Sequence, residues 1–412
     1  MRHKASTKTN KRKQNKVQNK KQRRPWLIPL LIMAALLTLV IIVPRIFNDD
    51  KNNEETQQEP AINQSAEDKI WAKIKEMTLE EKVAQLFIIT PEALTGYQNL
   101  YGNEEALKES FNNYPVGGLI FFSKNISTPQ EIKEATAICQ NASLERIGLP
   151  MLISIDEEGG QVARIANNTN FNVEKFPTLN NINTGTEAFN LGSTIGEYLQ
   201  DFGFNLDFAP VADVYTNKDN EVVDQRAFSS DADLVGELVT EEIKGFKTQG
   251  ILTTLKHFPG HGNTSGDTHL GLAYTEKTLE EMRSLEFIPF KKGIEAGADL
   301  VMIGHISAPK VVGDDTPCSF SQLIIKDVLR KELGFKGVVI TDALNMGAVT
   351  DWFGGDKAAV EALKAGVDIL LMPDDFDLAY TAVLKAVKSG ELKKEDIDQS
   401  LFRILLLKES LK

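Results

Sequence analysis

The sequence predicts an α/β chain: a (β/α)8 barrel of the TIM type preceded by a single N-terminal transmembrane helix. Three observations carry this. Eight short, β-branched apolar runs recur over roughly 340 residues, each separated from the next by a longer amphipathic stretch. That is the pattern of parallel strands joined by crossover helices. Four of the runs end in a charged or imidazole residue, and in a parallel barrel those ends share one face. Finally, residues 26–43 form an uncharged, mostly apolar run of 18 residues behind a basic tail.

In chain order, residues 1–24 hold 11 Lys and Arg and no acid, and read as an unstructured basic cytoplasmic tail. As a helix, the run Trp26–Val43 would span roughly 27 Å. Pro29 falls in its first turn, where proline is tolerated. Residues 25–47 therefore read as a signal-anchor. The basic flank predicts a single-pass cell-membrane protein with its bulk extracytoplasmic. The rival is a cleaved signal peptide, but the run is long for one, no A-x-A site follows and no Cys is placed for lipidation. Residues 48–67, rich in Asn, Gln, Glu and Asp, read as a linker.

Residues 68–412 read as the folded domain. WAKIKEMTLEEKVAQ is helical in pattern, with Thr78 and Glu81 in capping-box spacing. The strand candidates are LFIIT (86–90), GGLIFF (117–122), PMLISID (150–156), FNLDFAP (204–210), ILTTLKH (251–257), LVMIGHI (300–306), GVVITD (337–342) and DILLMP (368–373). Between them run amphipathic stretches such as LVGELVTEEIKGFKTQG, and DIDQSLFRILLLKESLK reads as a closing helix. A doubly wound open sheet is the alternative, but no G-x-G-x-x-G opens any unit.

Composition excludes several classes of function. The chain of 412 residues carries a net charge of −12, and beyond the basic tail 35 basic residues face 58 acidic ones. Such a body is a poor nucleic-acid binder. The two cysteines, Cys139 and Cys318, form no C-x-x-C and no metal-ligand spacing.

Chemistry concentrates in KHFPGHGNTSGDTH, residues 256–269, which hold three of the five histidines and three glycines. The stretch leaves a strand candidate and enters a glycine-rich loop, which brings polar groups to one edge of the sheet. Asp267 and His269, two residues apart, are close enough for the carboxylate to bond one imidazole nitrogen. That would fix the tautomer and leave the other nitrogen for proton transfer. The strand ends Asp156, Lys256-His257, His305 and Asp342 add further polar groups.

KHFPGHG followed by DTH resembles the signature of family-3 glycoside hydrolases, in the bacterial β-N-acetylglucosaminidase branch. The resemblance covers about residues 68–412, and no second, sandwich-like domain is present in the sequence. It implies a retaining exo-β-N-acetylglucosaminidase that acts on a carbohydrate, with peptidoglycan fragments as the source, and without cofactor or metal. It implies His269 as general acid/base, Asp267 as its partner, and Asp342, in ITDALNM, as nucleophile. In SIDEEGGQVARI it implies Asp156 and Arg164 as sugar-binding groups, and likewise Lys256, His257 and Arg226. This chain departs from the pattern at Asn263, where many members have Asp, at Gln161, where Arg is frequent, and at Asn220-Glu221, where Asn-Pro is usual. The alternatives are a β-glucosidase or β-xylosidase of the same family and a metal-dependent hydrolase on the same barrel. The latter would draw on His257, His261, His269, Asp267 and His305. A non-catalytic wall-binding protein is a further rival, one that should have lost Asp342 or the Asp267/His269 pair.

Overall fold

The computed structural model describes residues 64–411 apart from 267–270, 272, 351, 352 and 354. By contacts the chain divides into residues 1–61 and a unit Ile62–Lys412, and the described residues all belong to the second.

All eight expected strands form: β1 (Phe87–Ile89), β2 (Gly118–Phe121), β3 (Leu152–Ile155), β4 (Leu206–Asp207), β5 (Leu252–Phe258), β6 (Leu300–Ile303), β7 (Val338–Thr341) and β8 (Leu370–Leu371). Each pairs in parallel with its neighbours in sequence. The ring closes through Phe87 opposite Leu370 and through a parallel bridge from Ile340 to Ile369. A strand buried on both faces is apolar along its whole length, which is why the runs were visible in the sequence. β4 and β8 are only two residues long, shorter than their apolar runs suggest.

Helices cover the outside. The segment read as one helix, residues 71–85, is two, Gln64–Glu76 and Leu79–Ala84. The break comes at Thr78, whose hydroxyl accepts from the Glu81 amide while Glu81 caps Thr78 in return. The first helix starts inside the stretch read as linker and stacks Trp71 on Phe402 of the closing helix Lys394–Glu409. Helices Gly185–Asp201 and Ala232–Thr248 touch backbone to backbone: a Cβ on Gly192 would lie 2.2 Å from the Glu242 carbonyl oxygen.

The closing helix is bolted to the N-terminal end of the barrel. Buried Asp368, just before β8, accepts from Arg403, Ser400, Arg330 and the Val339 amide. Lys408, with no exposed surface, donates to Gln85 Oε1 at 2.8 Å. Among the described residues no carboxylate offsets its burial, which lowers its pKa to about 7.

The transmembrane part of the expected fold class is corrected. Among the described residues no helix is long and apolar enough to cross a membrane. Residues 25–47, on which the expectation rested, lie outside the described residues, as do the basic tail and most of the linker. An 18-residue run is at the short end of what spans a bilayer, and hydropathy with length does not by itself make a spanning helix. Among the described residues the fold class is an α/β barrel.

Lys408 generates a test. The folded state holds it neutral above about pH 7, whereas the unfolded chain keeps it protonated up to its ordinary value of 10.5. Between these values the unfolded state binds more protons, so stability rises with pH. Urea unfolding from pH 6 to 9 should show that rise. Lys408→Met should flatten it and add on the order of 1–4 kcal/mol at pH 6. An unchanged slope would place the titration elsewhere.

Candidate active site

A cavity of about 380 Å³ opens at the C-terminal ends of the strands, where loops converge in barrels of this kind. Six residues singled out from the sequence line it: Asp156, Arg164, Arg226, Lys256, His257 and Asp342. Lys256 and His257 are neighbours on β5, and neighbours on a regular strand point to opposite faces. Here the pairing of β5 with β6 shifts between Leu255 and Phe258. Such an irregularity re-aims side chains, and both residues reach the cavity.

Lys256, 2% exposed, is the centre of a buried ion cluster. Its ammonium donates to Asp156 Oδ1 at 2.8 Å and lies 2.6 Å from Glu158 Oε1. Glu158 is also held by Arg226, whose Nε and Nη2 donate to its two oxygens at 2.8 and 2.6 Å. Arg164 Nη2 stands 3.7 Å from Asp156 Oδ2, with its guanidinium over the Phe122 ring. Burial alone would push the Glu158 carboxyl up, but Arg226 and Lys256 outweigh it and hold it far below the usual range. Opposing charges likewise outweigh burial at Lys256, so the ammonium stays charged.

Glu157, one residue earlier, points the other way. Its carboxylate accepts from the amides of Arg164, Ile165 and Ala166 and from the Tyr198 hydroxyl. This folds the 157–166 hairpin back on itself and presents Arg164. Burial drives the Glu157 pKa upward, yet four donors on two oxygens leave the group acting as acceptor only.

The β5 end carries a second cluster. His257 Nδ1 donates to Asp213 Oδ2 at 2.7 Å, and its Nε2 faces Arg226 Nη2 at 3.4 Å. Asp213 Oδ1 accepts the His261 amide at 2.6 Å. Burial works against charge on Asp213, but His257 and His261 outweigh it and its pKa falls. His261 is buried on the cavity wall, with Nδ1 at 2.8 Å from Thr264 Oγ1. Gly262 fits against the chain after β4: a Cβ there would lie 2.0 Å from the Val214 carbonyl oxygen. Asn220 staples the same two loops. Its Nδ2 donates to the His261 carbonyl and Thr264 Oγ1, and its Oδ1 accepts from the Val222 amide. Asn263 Nδ2 donates to Thr216 Oγ1. Beyond these residues, Ser265 and Tyr274 exchange backbone hydrogen bonds and clamp the base of the loop. Asp267 and His269 lie within that loop and outside the described residues.

Asp342 follows β7 into the cavity. Its Oδ1 accepts the Ala343 amide at 2.8 Å, and among the described residues it forms no ion pair. Burial raises its pKa, but His257, His305, the Ala343 amide and Lys256 outweigh this, and the group stays below its ordinary value. His305 supports the turn from behind. Its Nε2 donates to the Ala343 carbonyl at 3.0 Å, so its Nδ1 accepts from the Ser319 hydroxyl at 2.7 Å. With both ring nitrogens engaged, His305 does not complete a metal site. Burial keeps its pKa low.

Glu157, Glu158 and Asp213 were missed by sequence reasoning. The charged pair before Gly159-Gly160 was a signal, since two adjacent acids at a strand end invite opposite duties. Asp213 had none: it follows the FAP run by three residues, with nothing to mark its distant partners.

The ion cluster generates a test. Glu158→Gln leaves two buried cations short of a partner, and breaking such a cluster costs about 3–5 kcal/mol, readable by urea unfolding at pH 7. The depressed Glu158 pKa contributes stability above the ordinary value of 4.5 and loses it as pH falls toward the folded value. The variant should therefore converge on the parent protein in acid. A loss that stays constant down to pH 3 would contradict this.

Comparison with known proteins agrees with this geometry. Residues 78–407 match the model for the glycosyl hydrolase family 3 N terminal domain. Beta-hexosaminidase A of Pseudoalteromonas piscicida is 34% identical over 335 residues, covering 74% of this chain and 55% of the relative. The chain thus spans little more than half of that protein. A beta-hexosaminidase of Stenotrophomonas maltophilia is 35% identical over 280 residues, 65% of this chain and 80% of the relative. The solved structure of a family 3 beta-N-acetylglucosaminidase from Paenibacillus sp. superposes with a TM-score of 0.76 at 34% identity, covering 81% of this chain and 62% of that one.

Proposed function

Because this chain belongs to glycoside hydrolase family 3 and is a glycoside hydrolase, we propose that it removes terminal β-linked N-acetylglucosamine with retention of configuration. The observation that carries the mechanism is Asp342, held below its ordinary pKa and without an ion pair among the described residues, on the wall of the same cavity as the Lys256–Asp156–Glu158–Arg226 cluster. Charged donors and acceptors of that kind fix sugar hydroxyls by paired hydrogen bonds. Asp156, Arg164, Arg226, Lys256 and His257 hold the non-reducing sugar. An Asp342 oxygen then attacks the anomeric carbon as the glycosidic bond breaks. The departing oxygen takes a proton from His269, which Asp267 orients. Water, deprotonated by His269, attacks the glycosyl ester and restores the Asp342 carboxylate.

The described walls support this division of labour. Asp156 and Glu158 are engaged as acceptors by Lys256 and Arg226. The His257 ring is engaged by Asp213 and Arg226. A second proton-transfer group is then expected from the loop clamped at Ser265 and Tyr274. Peptidoglycan fragments, which present terminal β-linked N-acetylglucosamine, are the proposed substrate. A second reading assigns the proton transfer to the His257–Asp213 pair, on the strength of its 2.7 Å contact.

Mutants separate these roles. Asp342→Asn should abolish turnover on every leaving group. His269→Ala should lose on the order of 10²–10⁴ in rate on a disaccharide. On nitrophenyl β-N-acetylglucosaminide it should release a burst of nitrophenol followed by slow turnover that azide accelerates. If His257→Ala shows the burst and azide rescue while His269→Ala does not, the second reading holds. Activity on nitrophenyl β-glucoside or β-xyloside but not on the N-acetylglucosaminide would overturn the substrate assignment.

A further inference from the structure

At the N-terminal end of the barrel, away from the pocket, lies a cavity of about 360 Å³. Its walls come from the helix Leu323–Glu332, the stretch before β8 and the first turns of the closing helix. Four cations line it, Lys326, Arg330, Lys331 and Arg403, against one acid among the lining residues, Asp396. Beyond the basic tail the chain carries 35 basic and 58 acidic residues. A wall of this sign therefore runs against the composition of the body.

The charge on this wall is met only in part from within. Arg330 and Arg403 share the single carboxylate of Asp368, with Arg330 Nη2 at 2.5 Å from Oδ2 and Arg403 Nη2 at 2.7 Å from Oδ1. Burial and the Arg403 charge both act against the Arg330 guanidinium. Asp368 does not fully offset them, and the Arg330 pKa falls. Arg403 uses Nε and Nη2 on Asp368 and Ser400, and its Nη1 makes no hydrogen bond among the described residues. Lys326 crosses Gly366, where a Cβ would lie 2.9 Å from Lys326 Cε, and its ammonium donates to the Lys364 carbonyl at 2.9 Å. That occupies one of three donors, and no carboxylate among the described residues meets it. Lys331 pairs with Asp327 at 2.6 Å. Exposed Asp396 forms no ion pair among the described residues and so neutralises none of the four. Leu363, Val367, Leu392 and Ile397 give the same cavity an apolar side.

From this we propose that the cavity binds a phosphomonoester, a small molecule carrying a phosphoryl group on a carbon skeleton. Guanidinium forks match phosphoryl oxygens, and an ammonium adds a point charge. Arg403 Nη1 and the Lys326 ammonium take those oxygens. The ligand's charge relieves the repulsion that one carboxylate leaves between Arg330 and Arg403. The carbon skeleton rests on Leu363, Val367 and Ile397. A volume of this size falls within the range of small-molecule sites and leaves room for more than a bare phosphate. The site stands at the far end of the barrel from Asp342 and does not depend on the glycosidase reading.

The test is calorimetry on the full chain at constant ionic strength, with glycerol 3-phosphate, inorganic phosphate and, as the uncharged control, glycerol. Both anions should bind saturably, the ester more tightly, and glycerol should not bind. Lys326→Met leaves Asp368 and its arginines in place and should weaken both anions about tenfold, the scale of one charge-assisted contact. Arg403→Lys keeps the charge, removes the fork and should weaken them as well. Asp396→Asn removes a repelling carboxylate and should tighten binding about two- to fivefold. A gain of that kind does not arise from a damaged fold, so the proposal stays testable if Arg403→Lys fails to fold. Anion binding unchanged by both Lys326→Met and Asp396→Asn would belong to the Lys256–Arg226 cluster and overturns the site. So does the absence of saturable binding by either anion at about 10 mM. Equal affinity for phosphate and its glycerol ester overturns the assignment to a phosphomonoester.

Discussion

The site depends on one buried cation. Lys256 has been taken almost wholly out of water, and an unpaired ammonium there would neutralise or unfold its surroundings. It is tolerated because Asp156 and Glu158 meet it from the end of β3, two strands away. Glu158 in turn brings in Arg226 from the chain after β4. Three consecutive strands are thereby tied together at their C-terminal ends by charge, where the parallel ladder itself has run out. The interior dielectric that makes the cluster costly to assemble also makes its geometry stiff. Groups meant to grip a ligand are held before the ligand comes.

Around that cluster the loops are fastened by neutral hydrogen bonds. Asn220, Asn263, Thr264 and the Gly262 contact lock the chain after β5 to the chain after β4. His305 does the same for the turn at Asp342. Strong ion pairs thus line the cavity, while amides and hydroxyls carry the scaffold behind it. The opposite end of the barrel is arranged differently: Asp368 gathers two arginines into one knot, and Lys408 stands there without a carboxylate among the described residues.

The barrel was legible because its strands are buried on both faces and so read as unbroken apolar runs, from Phe87–Ile89 through Leu370–Leu371. Site residues at strand ends, such as Asp156, Lys256 and Asp342, were legible because a charge at the end of such a run has few bland explanations. Glu157 and Asp213 were not. The Asp213 partners lie 44 or more residues away in sequence, and the Glu157 carboxylate is met mainly by backbone amides seven to nine residues on, which no side-chain pattern announces. The break at Thr78 is half visible in sequence: the capping-box spacing of Thr78 and Glu81 marks a helix start, while the amphipathic pattern runs on across it. The N-terminal apolar run lies outside the described residues, among which no helix is long and apolar enough to cross a membrane.

Glu157 and Glu158 are adjacent, and they face opposite sides of the same wall: one carboxylate organises backbone, the other meets Lys256 and Arg226. Because side chains alternate along an extended chain, adding or removing one residue before them would exchange their places. The hairpin amides would lose their acceptor and the buried cations would lose theirs in a single event. Apart from the two glutamates, residues of the 150–166 segment that do not line the cavity, unlike Asp156 and Arg164, can drift in identity, but the length of the segment cannot. Insertions that reshape the pocket should accumulate in the chain beyond Ala166, where the parity of the two glutamates is no longer at stake.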